Sequence, residues 1–221
     1  MRRFSLALAL AAPAFFAPLA SAETIRMTEG GTTAEIVLSD AAAAYPTFAL
    51  FLRDDAEAAV FDLAAEGART VTVRDRATVA GERFTSIRRE VEADLGAASA
   101  YRQIDALTWD REAQDFVRLD AFFDAGASRD EALIAISHHV REAIKALVWG
   151  GAVDGVYQPL VLQATNPDPA VLANFTLGRS GLTFHYSPRE IAPLAKGAPS
   201  ISVPRAVFEA FLNAAGREAF R

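Results

Sequence analysis

GLTFHYSPREIAPLAKGAPSISVP, residues 181–204, is the stretch that decides the fold class. Leu182, Phe184 and Tyr186 alternate with Thr183 and His185, the two-residue period of a strand with one buried face. Ser187-Pro188-Arg189-Glu190 then has the spacing of a capping box with proline at the first helical position. The spacing predicts a short helix that turns Ile191 and Leu194 inward, carries Lys196 at its negative end and stops at Gly197. Ile201 and Val203 resume the strand alternation and Pro204 ends it. Just upstream, Asn174–Leu177 pairs with residues 182–186 as a hairpin across Gly178-Arg179-Ser180-Gly181, where glycine supplies the backbone angles of a tight turn.

Working outward, Phe208, Phe211, Leu212 and Ala215 space as one stripe of a terminal helix. On the other side, Ser128-Arg129-Asp130-Glu131 is a second capping box. Leu133, Ile136, Val140, Ile144 and Leu147 follow as an apolar stripe that Gly150-Gly151 close, which predicts a long helix from Arg129 to Trp149. The prolines of Tyr157-Gln158-Pro159-Leu160 and Asn166-Pro167-Asp168-Pro169 mark connections, the latter opening a short helix through Val171-Leu172. Tyr101–Trp109 alternates with Tyr101, Gln103, Asp105 and Leu107 on one side, Asp110-Arg111-Glu112 turns, and Phe116–Leu119 returns. Between Arg69 and Leu95 the alternation of Val71 with Val73, and of Ile87, Val91, Ala93 and Leu95, favours strands, although Phe84, Ile87, Val91 and Leu95 also fit a helical stripe. Thr32–Ser39 is a half-buried strand. After the break at Tyr45-Pro46, Asp54 and Asp55 suit a helix N-terminus, with Ala56, Val60, Leu63 and Ala64 at helical spacing up to Gly67. Together these elements predict an α+β protein, an antiparallel β-sheet packed against one long helix with short C-terminal helices. The chain divides into residues 1–22, an N-terminal α+β region over 23–125 and a C-terminal α+β unit over 126–221, the last two forming one continuous body.

Residues 1–22 have the layout of a secretory signal peptide. Arg2 and Arg3 start it, an apolar run follows to Phe16, and Ala20-Ser21-Ala22 offers small residues for cleavage near Ala22. Pro13 and Pro18 interrupt the run, which is short of the ~20 apolar residues a membrane span needs. The Arg-Arg pair raises twin-arginine export beside the default general secretory route. Location in the periplasm or outside the cell, with no stable membrane anchor after cleavage, is the expectation. The formal net charge of −6 becomes about −8 once Arg2 and Arg3 are removed. No Lys/Arg cluster supplies the footprint of nucleic-acid binding, whereas the negative balance suits a basic partner. The sequence has no cysteine, which excludes disulfides, thiol nucleophiles and cysteine-based zinc sites.

Candidate chemistry reduces to structural roles. His185 and Ser187 invite a base and nucleophile, but Pro188 ends the strand that would hold them on one face. Glu190 could act as a general acid or base, yet its spacing from Ser187 is that of a cap. Asp110, Asp115, Asp120 and Asp124 lack the central glycine and terminal glutamate of a calcium loop. His138 and His139 are adjacent, so on a helix they point about 100° apart, unlike the i, i+4 pair of a helical zinc site. No phosphate-cradling glycine loop and no G-x-S-x-G elbow occurs. No catalytic, cofactor or metal residue is assigned, and a non-enzymatic role is favoured.

The run Phe175–Pro204 resembles the C-terminal extracytoplasmic domain of RsiV-type anti-sigma factors. That family of unknown-function domains is also similar to the non-catalytic part of some secreted peptidoglycan deacetylases. The resemblance is carried by Phe184, Tyr186, Pro188, Glu190, Ile191, Pro193, Gly197, Ile201 and Pro204. It extends more loosely to Tyr45-Pro46, Thr108-Trp109-Asp110, Val117-Arg118-Leu119 and Phe122-Phe123. It implies a binding protein for a cell-wall-related partner, with lysozyme, a basic protein, or a glycan as the expected ligand. An accessory or enzymatic role in peptidoglycan hydrolysis or deacetylation, and a structural role in the envelope, stay open. Where family members often carry a glycine-histidine motif beside a tyrosine, this chain has Leu95–Tyr101 (LGAASAY), and no partner-contacting residue is carried over.

Overall fold

The structure is a computed structural model and describes residues 22–80, 82–96 and 101–221; the expected signal segment, residues 1–22, lies outside them except for Ala22. The fold is α+β, a curled six-stranded sheet and a three-stranded sheet with four α-helices. In chain order, β1 (Thr24–Glu29) and β2 (Thr32–Val37) form a hairpin, and α1 (Pro46–Ala65) crosses to β3 (Thr70–Ala80). Strands β4 (Phe84–Asp94), β5 (Tyr101–Asp110) and the two-residue β6 (Asp115–Phe116) follow antiparallel. The β2–β3 pair is parallel, so the sheet is not wholly antiparallel as the sequence suggests. A helix-long crossover is what a parallel pair requires, and α1 supplies it.

Helix α1 begins at Pro46, two turns before the acidic pair expected to open it, so Asp54 and Asp55 sit in mid-helix. Phe48 and Leu52 are i, i+4 neighbours, and with Ala56, Val60 and Leu63 they form one buried stripe. That stripe lies on the face of the sheet formed by Ala34, Ile36, Val71, Val73, Val91 and Trp109. Phe48 stacks on Trp109 with ring centroids 4.9 Å apart.

One charged residue is set into this apolar layer. Arg89 on β4 stands in register between Asp75 on β3 and Asp105 on β5, and only 2 % of it is exposed. Its guanidinium donates from Nε to Asp75 Oδ1 (2.7 Å), and from Nη2 to Asp75 Oδ2 (2.8 Å) and the Leu52 carbonyl (2.6 Å). Nη1 donates to Asp55 Oδ2 (2.7 Å). Asp54-Asp55 therefore does not cap α1, and Asp55 joins helix to sheet.

The second sheet is β7 (Phe175–Gly178), β8 (Gly181–His185) and β9 (Ser200–Pro204), all antiparallel and with the hairpin where the sequence places it. Gly181 has φ +149°, and a Cβ there would stand 2.0 Å from the Val203 carbonyl oxygen. The long helix α2 (Ala127–Ala143) continues through a π-helical segment, Ile144–Val148. Ser128 does not cap it: the chain enters at Gly126 (φ +77°), whose carbonyl accepts the Arg129 and Asp130 N–H groups. The buried face of α2 joins the second sheet, Phe84 of β4 and the C-terminal segment in a second core. Two further differences concern helices. Pro159 sits in the first turn of α3 (Gln158–Ala164), a helix in place of the expected connection. The terminal stripe is split into 3-10 turns at Arg205–Val207 and Glu209–Phe211 before α4 (Ala214–Ala219), because Leu212 is extended and Asn213 caps α4 through the Gly216 N–H (2.9 Å). Phe208 and Leu212 are nonetheless buried as the spacing implies. None of the described helices is long and apolar enough to cross a membrane.

Candidate functional site

The stretch from residue 187 to 197 does not form the expected helix. Arg189 takes a left-handed φ of +72°, Pro193 has an extended ψ of 152°, and only a 3-10 turn, Leu194–Lys196, follows. Proline at 193 would remove a backbone donor from the interior of the expected helix over 188–196, which is the local reason. Half of the capping box survives: Glu190 Oε2 accepts the Ser187 N–H at 2.7 Å. The Ser187 hydroxyl instead meets the edge of β5, accepting the Ile104 N–H (3.0 Å), while Asn174 Nδ2 donates to the Ile104 carbonyl (2.8 Å) and to that of His185 (2.8 Å). Two side chains thus satisfy an edge that has no strand beside it there.

The motif residues fall into two groups. Phe184, Tyr186, Ile191 and Ile201 are brought together in the second core. Pro188, Glu190 and Pro204 are on the surface or at its rim, and Gly197 closes the last turn with φ +73°. Burial is the first cause of a raised Glu190 carboxyl pKa, against which the Ser187 N–H works. His185 is buried between Thr176 Oγ1 (3.0 Å from Nε2) and Ser200 Oγ (2.9 Å from Nδ1). Burial, and secondarily Arg88, depress its pKa to about 4. It is a neutral cross-strand link among β7, β8 and β9. His138 is exposed and His139 half-buried on α2.

A cleft of about 590 Å³ lies elsewhere, between the β5–β6 hairpin, the 3-10 turn Leu119–Phe122, the first turns of α2, and α4. It gathers Asp110, Asp115 and Asp120, three of the four aspartates singled out from the sequence, but not Asp124. It adds Arg83, Arg118 and Arg129, none of which is a candidate site residue from the sequence. Asp110 is fastened. Arg83 donates to both of its carboxylate oxygens (2.9 Å from Nε to each, 2.6 Å from Nη2 to Oδ2), and Oδ1 accepts the Glu112 (2.9 Å) and Ala113 (3.2 Å) N–H groups. Burial pushes the Asp110 carboxyl up, yet these bonds outweigh it and hold the pKa below the usual range. The looser groups are Arg118, 3.3 Å from Asp120, and Arg129, 3.1 Å from Asp130. Phe116 forms a half-buried wall, packed edge-on against Trp109 (5.1 Å) and beside Phe51 (4.5 Å).

The segment behind this cleft is one that other proteins share. Residues 120–206 match the model of DUF3298, a family described as proteins of unknown function. A DUF3298 family protein from Pseudomonas aeruginosa PAO1, solved at 2.15 Å resolution, is similar over 88 % of this chain and 95 % of its own, with a TM-score of 0.60 and 14 % identity. A DUF3298 member from Bacteroides fragilis is similar over 88 % of this chain and 94 % of its own, with a TM-score of 0.54 and 16 % identity. At such identities these likenesses concern the fold. No curated protein matches the chain. The matched DUF3298 segment contains the second sheet, α2 and the Asp120 side of the cleft, while Arg83 comes from the turn between β3 and β4, and Asp110 and Asp115 from β5 and β6, all before it.

Proposed function

We propose that the chain is exported to the periplasm or beyond and works as a non-catalytic binding protein, with a cell-wall-related protein such as lysozyme, or a glycan, as its partner. The finer placement beside RsiV-type domains belongs to the same proposal. The observation that carries it is where the reactive side chains are spent. His185, Glu190 and Asp110 are each held by partners within the fold, whereas the cleft that Asp110 lines is open and its remaining charged side chains have loose partners. A recognition surface asks for that combination more than a reaction centre does. The negative charge of the exported chain adds complementarity to a basic protein. The test is direct binding of the chain beginning at Glu23 to lysozyme and to soluble peptidoglycan fragments by calorimetry. Saturable binding to either supports the reading, and none to either removes it.

A further inference from the structure

We infer that the cleft between the β5–β6 hairpin and α2 is a saccharide site, taking a neutral oligosaccharide. The inference rests on the reading of the chain as a binding protein and names the ligand class of this cleft. The volume of about 590 Å³ is in the range of a small-molecule site. The lining decides the charge of what enters. Arg118 and Arg129 would favour an anion, but Asp115 and Asp120 stand on the same walls. A cation would meet the converse conflict. Neither net charge is accommodated without bringing a like charge close, so a neutral ligand is favoured.

The same four side chains suit hydroxyl groups. A hydroxyl both donates and accepts, so a polyol can donate to the carboxylates and accept from the guanidiniums at once. Those guanidiniums are available: the Arg118 and Arg129 side chains are exposed, and their pairs with the half-buried Asp120 (3.3 Å) and the exposed Asp130 (3.1 Å) have little net strength, so exchanging them for ligand hydroxyls costs little. The Arg83–Asp110 pair at the end of the cleft, with three short bonds, stays fixed and holds the hairpin in place. Phe116 and Val117 are among the apolar residues of the lining, with Phe84, Phe122 and Phe123. An aromatic face carries negative charge density, which attracts the polarised C–H face of a pyranose ring. The cleft is open rather than enclosed, so a ligand of several units can continue beyond it.

The test uses the chain from Glu23 onward with tri-N-acetylchitotriose as a neutral probe and trigalacturonate as an anionic one, read by calorimetry and by amide chemical shifts, with lysozyme in a parallel arm. The expected result is saturable chitotriose binding with shifts clustered at Ala113–Arg118 and Ala125–Arg129. R118A and R129A, both surface changes whose folding is checked by thermal melting, should each weaken it about tenfold, the loss of a charge-assisted hydrogen bond. Trigalacturonate should bind more weakly than chitotriose. Shifts outside the cleft, unchanged affinity in both variants, or tighter binding of trigalacturonate would overturn the inference. Lysozyme binding without chitotriose binding removes the saccharide site and leaves the binding-protein reading standing; failure of both arms removes both.

Discussion

Replacing Arg89 by methionine removes one cation and leaves two carboxylates in unequal positions. The Asp55 side chain is half exposed and can turn to water, whereas that of Asp75 is wholly buried. Asp75 loses both of its guanidinium bonds, at 2.7 and 2.8 Å, and has no exit. Stranding one member of a buried pair costs about 3–5 kcal/mol. For a chain of this size that corresponds to roughly 6–20 °C in melting temperature. Urea unfolding followed by circular dichroism measures it.

Two further readouts separate this cause from ordinary loss of packing. In R89M the lone Asp75 takes up a proton more readily in the folded than in the unfolded chain. Stability of R89M relative to the parent should therefore rise as pH falls from 7 towards 5. The double variant R89M/D75L replaces the pair by apolar side chains and should recover at least half of the loss. A loss under about 1 kcal/mol in R89M, or a double variant less stable than R89M, would refute the claim that the arginine is held by an uncompensated buried charge.

The remaining expectations concern the second sheet and its docking. G181A places a Cβ 2.0 Å from the Val203 carbonyl oxygen at a φ of +149°, so β8 and β9 must part; a loss well beyond the ~1 kcal/mol of a typical substitution is expected in urea unfolding. His185, with a pKa near 4 in the fold against 6.5 for the free side chain, is neutral when folded. Its contribution is complete above pH 6.5 and is lost as pH falls from 6.5 to 4, by an amount on the order of 2–3 kcal/mol. Comparing H185Q with the parent across that window should show a flatter profile in the variant. S187A removes a hydroxyl that serves Ile104 rather than a helix. It should cost about 1 kcal/mol and speed amide exchange at Ile104 with no change in helix content, whereas a fall in helicity would restore the capping role.

Most strands were legible because each has a face pressed on something apolar; β1, which has no buried residue, was not read. On β5, Tyr101, Gln103, Asp105 and Leu107 do share a side as the alternation indicates, and Ile104 and Ala106 on the other side are buried under the second sheet. The helix starts were less legible because a capping sequence is a local preference that tertiary partners override. Ser187 found a better acceptor and donor on β5, and Ser128 was overtaken by Gly126. Arg89 was hidden for a different reason: Arg88-Arg89-Glu90 has the composition of a wet edge, and only the register that sets Asp75 beside it makes burial affordable. The cleft was legible only through its aspartates: Asp110, Asp115 and Asp120 stand out in the sequence, but nothing there joins them to the arginines. Arg83, Asp115, Arg118, Asp120 and Arg129 come from separate turns, and no periodicity connects them.

The same packing bears on how far the DUF3298 segment can stand alone. Phe122 lies within it, yet its ring meets Phe84 of β4 at 5.3 Å and Phe220 of α4 at 6.2 Å, both outside residues 120–206. The Leu177 N–H donates to Ser86 Oγ (2.9 Å), and Ser187 and Asn174 reach Ile104, so three polar groups of the segment have their partners on β4 and β5. A fragment cut at the matched boundaries would expose the Phe84-facing side of the core and leave those groups without acceptors or donors. We therefore expect residues 120–206 alone to be poorly folded by amide dispersion, and residues 23–221 to unfold in one transition. Two separated transitions, or a well-dispersed spectrum from the fragment, would show that the halves are coupled less than the shared core requires.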